Sequence, residues 1–177
     1  MSTDHITTLD MPQLIETMRK TTASGGVFPM RVMGYSMNPT LGHARDTVYL
    51  VSKENRPAKP GEILFFMRPD GSGVLHRLIR ILPDGSFLMN GDAQCWTETI
   101  HSEQVIAVVS HFIRKGTDIS CDGCLYRFYV RLWGIFRPMR PAIGKVIRLA
   151  THLSKRSGNE QPEIHPIGEL LYNKGTL

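Results

Sequence analysis

Two residues that can act together in nucleophilic catalysis stand forty positions apart in this sequence. Ser36 lies in the stretch Gly34–Thr40 (GYSMNPT), between an apolar run and a turn set by Asn38-Pro39. A serine hydroxyl becomes nucleophilic when a neighbouring base takes its proton. His76 is the natural base, because neutral imidazole accepts a proton near pH 7. The spacing does not show that they meet, since such partners are adjacent in the fold and not in the sequence.

Each of these residues also has a plain structural interpretation. Ser36 fits an ordinary turn or capping residue, and His76 fits a histidine satisfied by hydrogen bonds within a sheet. Two loop histidines, His43 and His101, compete for the role of base. Lysine can serve as a base when burial lowers its pKa, but Lys53 and Lys59 lie in polar, proline-flanked loops.

An acid near the histidine would fix its tautomer and stabilise the imidazolium ion. The turn Asn90-Gly91-Asp92 supplies one carboxylate, Asp92, and Glu98 supplies another six positions later. The sequence leaves open which of the two orients His76, and Asp92 also fits a solvated turn residue. Trp96, in the same loop, fits three interpretations equally: it shields the site, lines a substrate pocket or serves only packing.

The elements that must position these residues are short and mostly extended. Residues 9–20 predict a helix, with Asp10 as cap and Pro12 in its first turn. Between residues 27 and 113, apolar and β-branched runs alternate with Gly, Pro and Asp turns, which is typical of a compact antiparallel β domain. The predicted strands are 27–33, 47–51, 63–67, 74–82, 86–89 and 104–109. The third is almost continuously apolar, which predicts burial on both faces.

The apolar period changes after Gly123. Apolar residues then recur at steps of three and four, which predicts an amphipathic helix; they are Leu125, Phe128, Tyr129, Leu132, Trp133 and Phe136. Residues 120–157 hold eight basic residues against one acid, an excess of seven in a chain whose net charge is +5. We therefore predict four parts: a helical lead-in (1–26), the β domain (27–118), a basic aromatic helical segment (119–153) and a loose tail (154–177).

The composition limits both the cellular location that we expect and the roles open to the cysteines. Three cysteines do not form a secreted disulfide framework. Cys121 and Cys124 form a lone CxxC pair without a second pair, so we expect plain turn cysteines, with metal or redox roles as alternatives. No apolar run reaches the roughly 18 residues of a membrane span, and no signal peptide is visible. We expect a peripheral membrane or cytoplasmic protein that needs no cofactor.

Six short motifs occur in this sequence in an order that resembles the motif order of a known protein family. They are Gly34-x-Ser36-Met37-x-Pro39-Thr40-Leu41, Asp46-x-Val48, Pro60-Gly61-Glu62-Ile63-Leu64-x-Phe66, Val74-x-His76-Arg77-Leu78-Ile79, Asn90-Gly91-Asp92 and Val105–Val109. This order resembles the signal peptidase I-like serine peptidases (S24/S26). It is most similar to the Ser-His branch of the endoplasmic reticulum, archaea and some Gram-positive bacteria. The resemblance covers residues 27–113.

The resemblance implies a β-rich peptidase fold of the signal peptidase type, with the substrate bound as an added extended strand. It implies that Ser36 is the nucleophile, His76 the general base, Asp92 the aspartate of the Gly-Asp box and Glu98 the further acid. It also implies that the Ser36 backbone amide contributes to an oxyanion hole. Two features depart from the pattern: Glu62 stands where aspartate is common, and no transmembrane anchor is visible.

Together these observations predict a serine endopeptidase that cleaves signal- or leader-type pre-sequences through an acyl-enzyme. The expected partners are an extended precursor polypeptide and an anionic membrane surface contacted by residues 125–149; nucleic acid is not expected. The helix in this segment fits equally well a second interpretation, in which it packs on the β domain or on a partner. The alternatives are a leader peptidase for modified or secreted small peptides, and a non-proteolytic relative that binds lipid or nucleic acid.

Overall fold

The computed structural model describes residues 10–136, and the predictions for residues 1–9 and 137–177 lie outside this range. All described elements belong to the first of two compact units, which ends at Pro138. Helix α1 spans Met11–Ala23, with the Asp10 side chain accepting a hydrogen bond from the Gln13 backbone N–H at 3.0 Å. Helix α2 spans Cys124–Phe136.

Eight strands lie between the two helices, and every strand pair is antiparallel. They are β1 Phe28–Arg31, β2 Thr47–Val51, β3 Ile63–Met67, β4 Gly73–Ile81, β5 Phe87–Asn90, β6 Glu98–Ile100, β7 Val105–Arg114 and β8 Thr117–Ser120. The order is β1-β2-β7-β3-β4-β5-β6, with β8 on β7. The prediction of a mostly antiparallel β protein with a helix at each end is therefore confirmed.

Strand β3 lies at the centre of the core, as its continuous apolar run predicts. Ile63 and Phe65 pack with residues of α1, β2 and α2 in one buried cluster. Leu64 and Phe66 point the other way, into a second cluster with residues of β4, β5 and β7. This follows from the period of two in a strand, and it leaves β3 buried on both faces.

The sequence prediction missed some elements. Strands β6 and β8 are three and four residues long and partly polar, so they lack the apolar alternation that marks a strand. Strand β7 extends to Arg114, beyond the predicted end at residue 109, and its added residues turn at Lys115-Gly116 to pair with β8. The predicted domain boundary after residue 118 falls inside β8.

A buried ion pair joins β4 to the turn that follows β5. The Arg77 guanidinium donates two hydrogen bonds to Asp92, from Nε at 2.8 Å and from Nη2 at 2.5 Å. It donates a third to the Gly61 carbonyl at 2.7 Å and a fourth to the Tyr126 hydroxyl of α2 at 3.1 Å. Burial opposes the charge of Arg77, but Asp92 outweighs it, so the pKa of Arg77 is raised. The pair thus fastens β4, β5 and α2 together.

Removing one charge of this pair tests its contribution to stability. Asp92→Asn leaves the Arg77 charge buried without its counter-ion, so we expect the free energy of unfolding to fall by about 3–5 kcal/mol. The matched control is Glu16→Gln, which breaks the exposed Glu16–Lys20 pair and should change it by less than about 0.5 kcal/mol. Urea unfolding measures both, and equal losses would contradict a structural role for the pair.

Candidate active site

Ser36 occupies the turn that follows β1, and this turn is anchored at several points. Gly34 adopts a positive φ of 96°, and its N–H donates a hydrogen bond to His43 Nδ1 at 2.8 Å. Met37 and Leu41, on the far side of the serine, are fully buried in the core. Ser36 itself is only half-buried. The apolar neighbour therefore fixes the turn while the hydroxyl-bearing residue remains near the surface.

The turn after β5 holds the main chain of Ser36 from the other side. The Ala93 N–H donates a hydrogen bond to the Ser36 carbonyl at 2.8 Å. At Gly91, an added Cβ would lie 2.7 Å from the same carbonyl oxygen, so the approach of the two segments requires glycine. The Gly91-Asp92 motif therefore packs directly against the serine turn.

His76 lies on β4, opposite Leu64 of β3, and only 1% of it is exposed. The Phe66 ring is 6.0 Å from the imidazole between centroids, and the Trp96 ring meets it edge-on at 6.1 Å. Trp96 itself is half exposed. His76 is thus a desolvated imidazole in an aromatic setting.

Glu98 holds the imidazole by its Nδ1 atom. The distance from His76 Nδ1 to Glu98 Oε1 is 2.7 Å. Arg68 donates two hydrogen bonds to the same carboxylate, each at 2.8 Å. An ionised carboxylate only accepts, so Nδ1 carries the proton and Nε2 keeps its lone pair. The arrangement selects the tautomer of a general base.

The electrostatics keep this pair in the charge states that a base requires. Burial lowers the pKa of His76 below its ordinary 6.5, and the opposing effect of Glu98 does not restore it. Burial acts to raise the pKa of Glu98, but the hydrogen bonds and charge of Arg68, together with His76, lower it. At neutral pH the imidazole is therefore neutral and Glu98 is ionised.

Ser36 and His76 line one cleft of about 350 Å³, together with Arg68 and Trp96. The apolar part of its lining comes from α1, the serine turn and strands β1, β3 and β4: Met11, Leu14, Met30, Met37, Phe65 and Leu75. Within residues 10–136, no hydrogen bond joins the Ser36 hydroxyl to His76. Catalytic hydrogen bonds are often long without substrate and shorten when it binds.

Asp92 does not lie on the imidazole. Its carboxylate is buried against Arg77, and the Thr40 hydroxyl also donates a hydrogen bond to it. The choice that the sequence left open, between Asp92 and Glu98 as the partner of His76, is thus made by geometry in favour of Glu98. Asp92 instead connects the loop after Ser36 to β4.

The remaining residues that the sequence analysis considered, two histidines and the cysteines, lie outside the Ser36–His76 cleft. His43 caps the serine turn through its bond with the Gly34 N–H, and His101 lies at the start of the 3₁₀ turn Ser102–Gln104. The three cysteines are free, and burial raises the pKa of Cys121 to about 12, which keeps it a thiol. In the described part of the chain, no cluster of three His, Cys, Asp or Glu side chains could hold a metal ion.

The sequence analysis missed two features of the site: the role of Arg68 and the part of the cleft wall that α1 forms. Arg68, one residue beyond β3, orients Glu98 and also lies 5.9 Å over the Trp96 ring. The sequence signal that could have indicated Arg68 is its position as a charged residue directly after a buried strand. Helix α1 supplies part of the cleft wall through Met11 and Leu14, a long-range packing that no local pattern marks.

Comparisons with known proteins identify no relative. No protein-family model matches the chain, and no curated protein or solved structure is significantly similar to it. The family resemblance therefore stays a prediction from motifs, and the case for function rests on the site's geometry. Within residues 10–136, neither helix has the length and apolar character needed to cross a bilayer.

Replacing Glu98 tests the assignment of the imidazole's partner. Glu98→Gln keeps an oxygen that can accept from Nδ1 but removes the negative charge that favours the imidazolium ion, so the pKa of His76 should fall further. NMR titration of the His76 ring measures it. Glu54→Gln, the loss of an exposed carboxylate, should leave this pKa unchanged. An unaltered His76 titration in Glu98→Gln would contradict the assignment.

Proposed function

We propose that this protein is a serine endopeptidase in which Ser36 is the nucleophile and His76 the general base. The observation that carries the proposal is a buried, neutral imidazole whose Nδ1 is held by Glu98, in the same cleft as a half-buried serine. Desolvation keeps the base unprotonated, and the fixed tautomer leaves Nε2 to accept the serine proton.

The strand edges beside the cleft favour an extended polypeptide as substrate. Strand β1 is the end of the strand order, and Val32–Gly34 continue it along the cleft. On the other side, residues 73–76 of β4 pair with β3, whereas β5 pairs with β4 only from Arg77 onward. An extended chain can hydrogen-bond to such open edges and place alternate side chains in the pocket.

The reaction follows from these positions. The Ser36 oxygen attacks the carbonyl carbon of the substrate peptide while His76 Nε2 takes the serine proton. Glu98 stabilises the imidazolium ion, which then protonates the leaving amine as the C–N bond breaks. A water molecule, deprotonated by His76, attacks the resulting ester and releases the carboxylic acid and the free serine.

The oxyanion of the tetrahedral intermediate needs hydrogen-bond donors near Ser36. Within residues 10–136, the Ser36 backbone N–H has no acceptor, so it is free to donate to this oxygen. Because the Tyr35 carbonyl accepts a hydrogen bond from the Asn38 N–H at 3.1 Å, the peptide unit that carries the Ser36 N–H is held in place before substrate binds. Preorganised donors of this kind lower the barrier without reorganisation.

The expected substrates are precursors with a signal- or leader-type pre-sequence. This part of the proposal is supported by the motif resemblance and by the apolar cleft wall, where Met30, Phe65 and Leu75 would contact apolar substrate side chains. In this proposal Asp92 acts on the structure and not on the proton transfer, since its partners are Arg77 and Thr40.

The direct test is cleavage by the purified protein of a mixture of pre-sequence peptides, with new termini identified by mass spectrometry. Ser36→Ala removes the nucleophile, so kcat/KM for every cleaved peptide should fall by about 10⁴-fold or more, with unfolding unchanged. Ser72→Ala, in the β3–β4 turn, is the matched control and should cleave like the wild type. Retained cleavage in Ser36→Ala would exclude this serine as the nucleophile.

A further inference from the structure

Helix α2 exposes a complete apolar face. Five large apolar side chains lie on it, with exposed fractions of 87% for Leu125, 62% for Phe128, 39% for Leu132, 67% for Ile135 and 46% for Phe136. At about 100° per residue they form one continuous arc of the helix. A contiguous exposed apolar patch on a protein marks a contact surface.

This face is not the one that attaches the helix to the sheet. A different arc carries Tyr126, whose hydroxyl accepts from Arg77, and Tyr129, whose hydroxyl lies 2.8 Å from the Thr40 oxygen. Since the Thr40 hydroxyl donates its only hydrogen to Asp92, Tyr129 must donate to Thr40. The helix is therefore bonded to the protein body while its apolar arc faces outward.

The charges of α2 occupy a third arc, beside the apolar one. Arg127 and Arg131 are exposed there, and the helix contains no acidic residue. The surrounding sequence has the same sign, because residues 120–157 hold eight basic residues and one acid. That acid, Asp122, is paired with Arg56 at 2.6 Å. An apolar arc flanked by arginines is complementary to an anionic lipid surface, with acyl chains below and phosphates above.

We propose that α2 is an interfacial helix that docks this protein on anionic membranes through the arc from Leu125 to Phe136. A second copy of the chain packed antiparallel on this face fits less well, because that two-fold contact would bring the arginines of one copy against those of the other. Lipid binding does not depend on the peptidase assignment.

The test is co-sedimentation of the full chain with vesicles of phosphatidylcholine alone or with one quarter phosphatidylglycerol. We expect binding to the anionic vesicles that weakens as salt is raised. Phe128→Ser/Leu132→Ser/Ile135→Ser keeps every charge but removes the apolar arc, and should weaken binding by roughly tenfold or more. Arg127→Gln/Arg131→Gln should weaken it by roughly 25-fold, about fivefold per arginine.

Ile81→Ser replaces an exposed apolar residue on β4; it is the matched control and should bind like the wild type. In a second measurement, Phe128→Trp should show a blue-shifted emission on anionic vesicles, whereas Ile81→Trp should not.

Wild-type binding by the triple serine variant would mean adsorption by charge alone and would overturn the proposal. So would the absence of vesicle binding, with or without self-association through the same arc. Cleavage of soluble peptides by the triple variant should be unchanged, which separates this result from the test of Ser36.

Discussion

The buried Arg77–Asp92 ion pair is the constraint on which the rest of the structure depends. It lies where three segments converge: the middle of β4, the turn after β5 and the loop after Ser36, which joins it through Thr40. Tyr126 extends the network to α2. Breaking a pair of this kind leaves a buried charge uncompensated, so the segments that carry the site are held in register by this pair as well as by packing.

Because β4 is pleated, its neighbouring residues Arg77 and His76 face opposite sides of the sheet and contact different groups. Consecutive residues of a strand point to opposite faces, so Arg77 enters the network under α2 while His76 enters the cleft. His76 then meets a second acid, Glu98, whose own charge is secured by Arg68. Two adjacent residues thus pair with two different carboxylates: Arg77 with Asp92 in the buried network, and His76 with Glu98, which fixes the imidazole tautomer.

Within residues 10–136, two groups of neighbouring apolar side chains line a cleft or face solvent. The cleft wall offers Met11, Leu14 and neighbouring side chains beside Ser36, and α2 offers its outer arc. The surroundings of the two surfaces differ. The cleft wall surrounds the titratable imidazole of His76, whereas the arc on α2 lies beside arginines. This difference is why we propose a polypeptide for the first and a lipid surface for the second.

Local patterns predicted the elements that are apolar and regular, and failed where the outcome depends on distant packing. Strands β2 and β3 begin and end where composition predicts, whereas β6 is too short to carry a pattern of its own. Sequence could name Ser36, His76, Asp92 and Glu98, but it could not choose between the two acids. That choice depends on the register of β4 against β5, which is shifted by a bulge between Leu78 and Arg80, and on the register of β5 against β6.

The most direct measurement of the central claim is the rate at which a fluorophosphonate probe modifies Ser36, located by mass spectrometry. The account predicts modification at Ser36 and at no other serine, slowed at least about 100-fold by His76→Gln. Since burial lowers the pKa of His76, the rate should hold at neutral pH and fall with acid only at a midpoint below 6.5. Labelling spread over several serines, or labelling of Ser36 that ignores both pH and His76→Gln, would contradict an imidazole-activated serine.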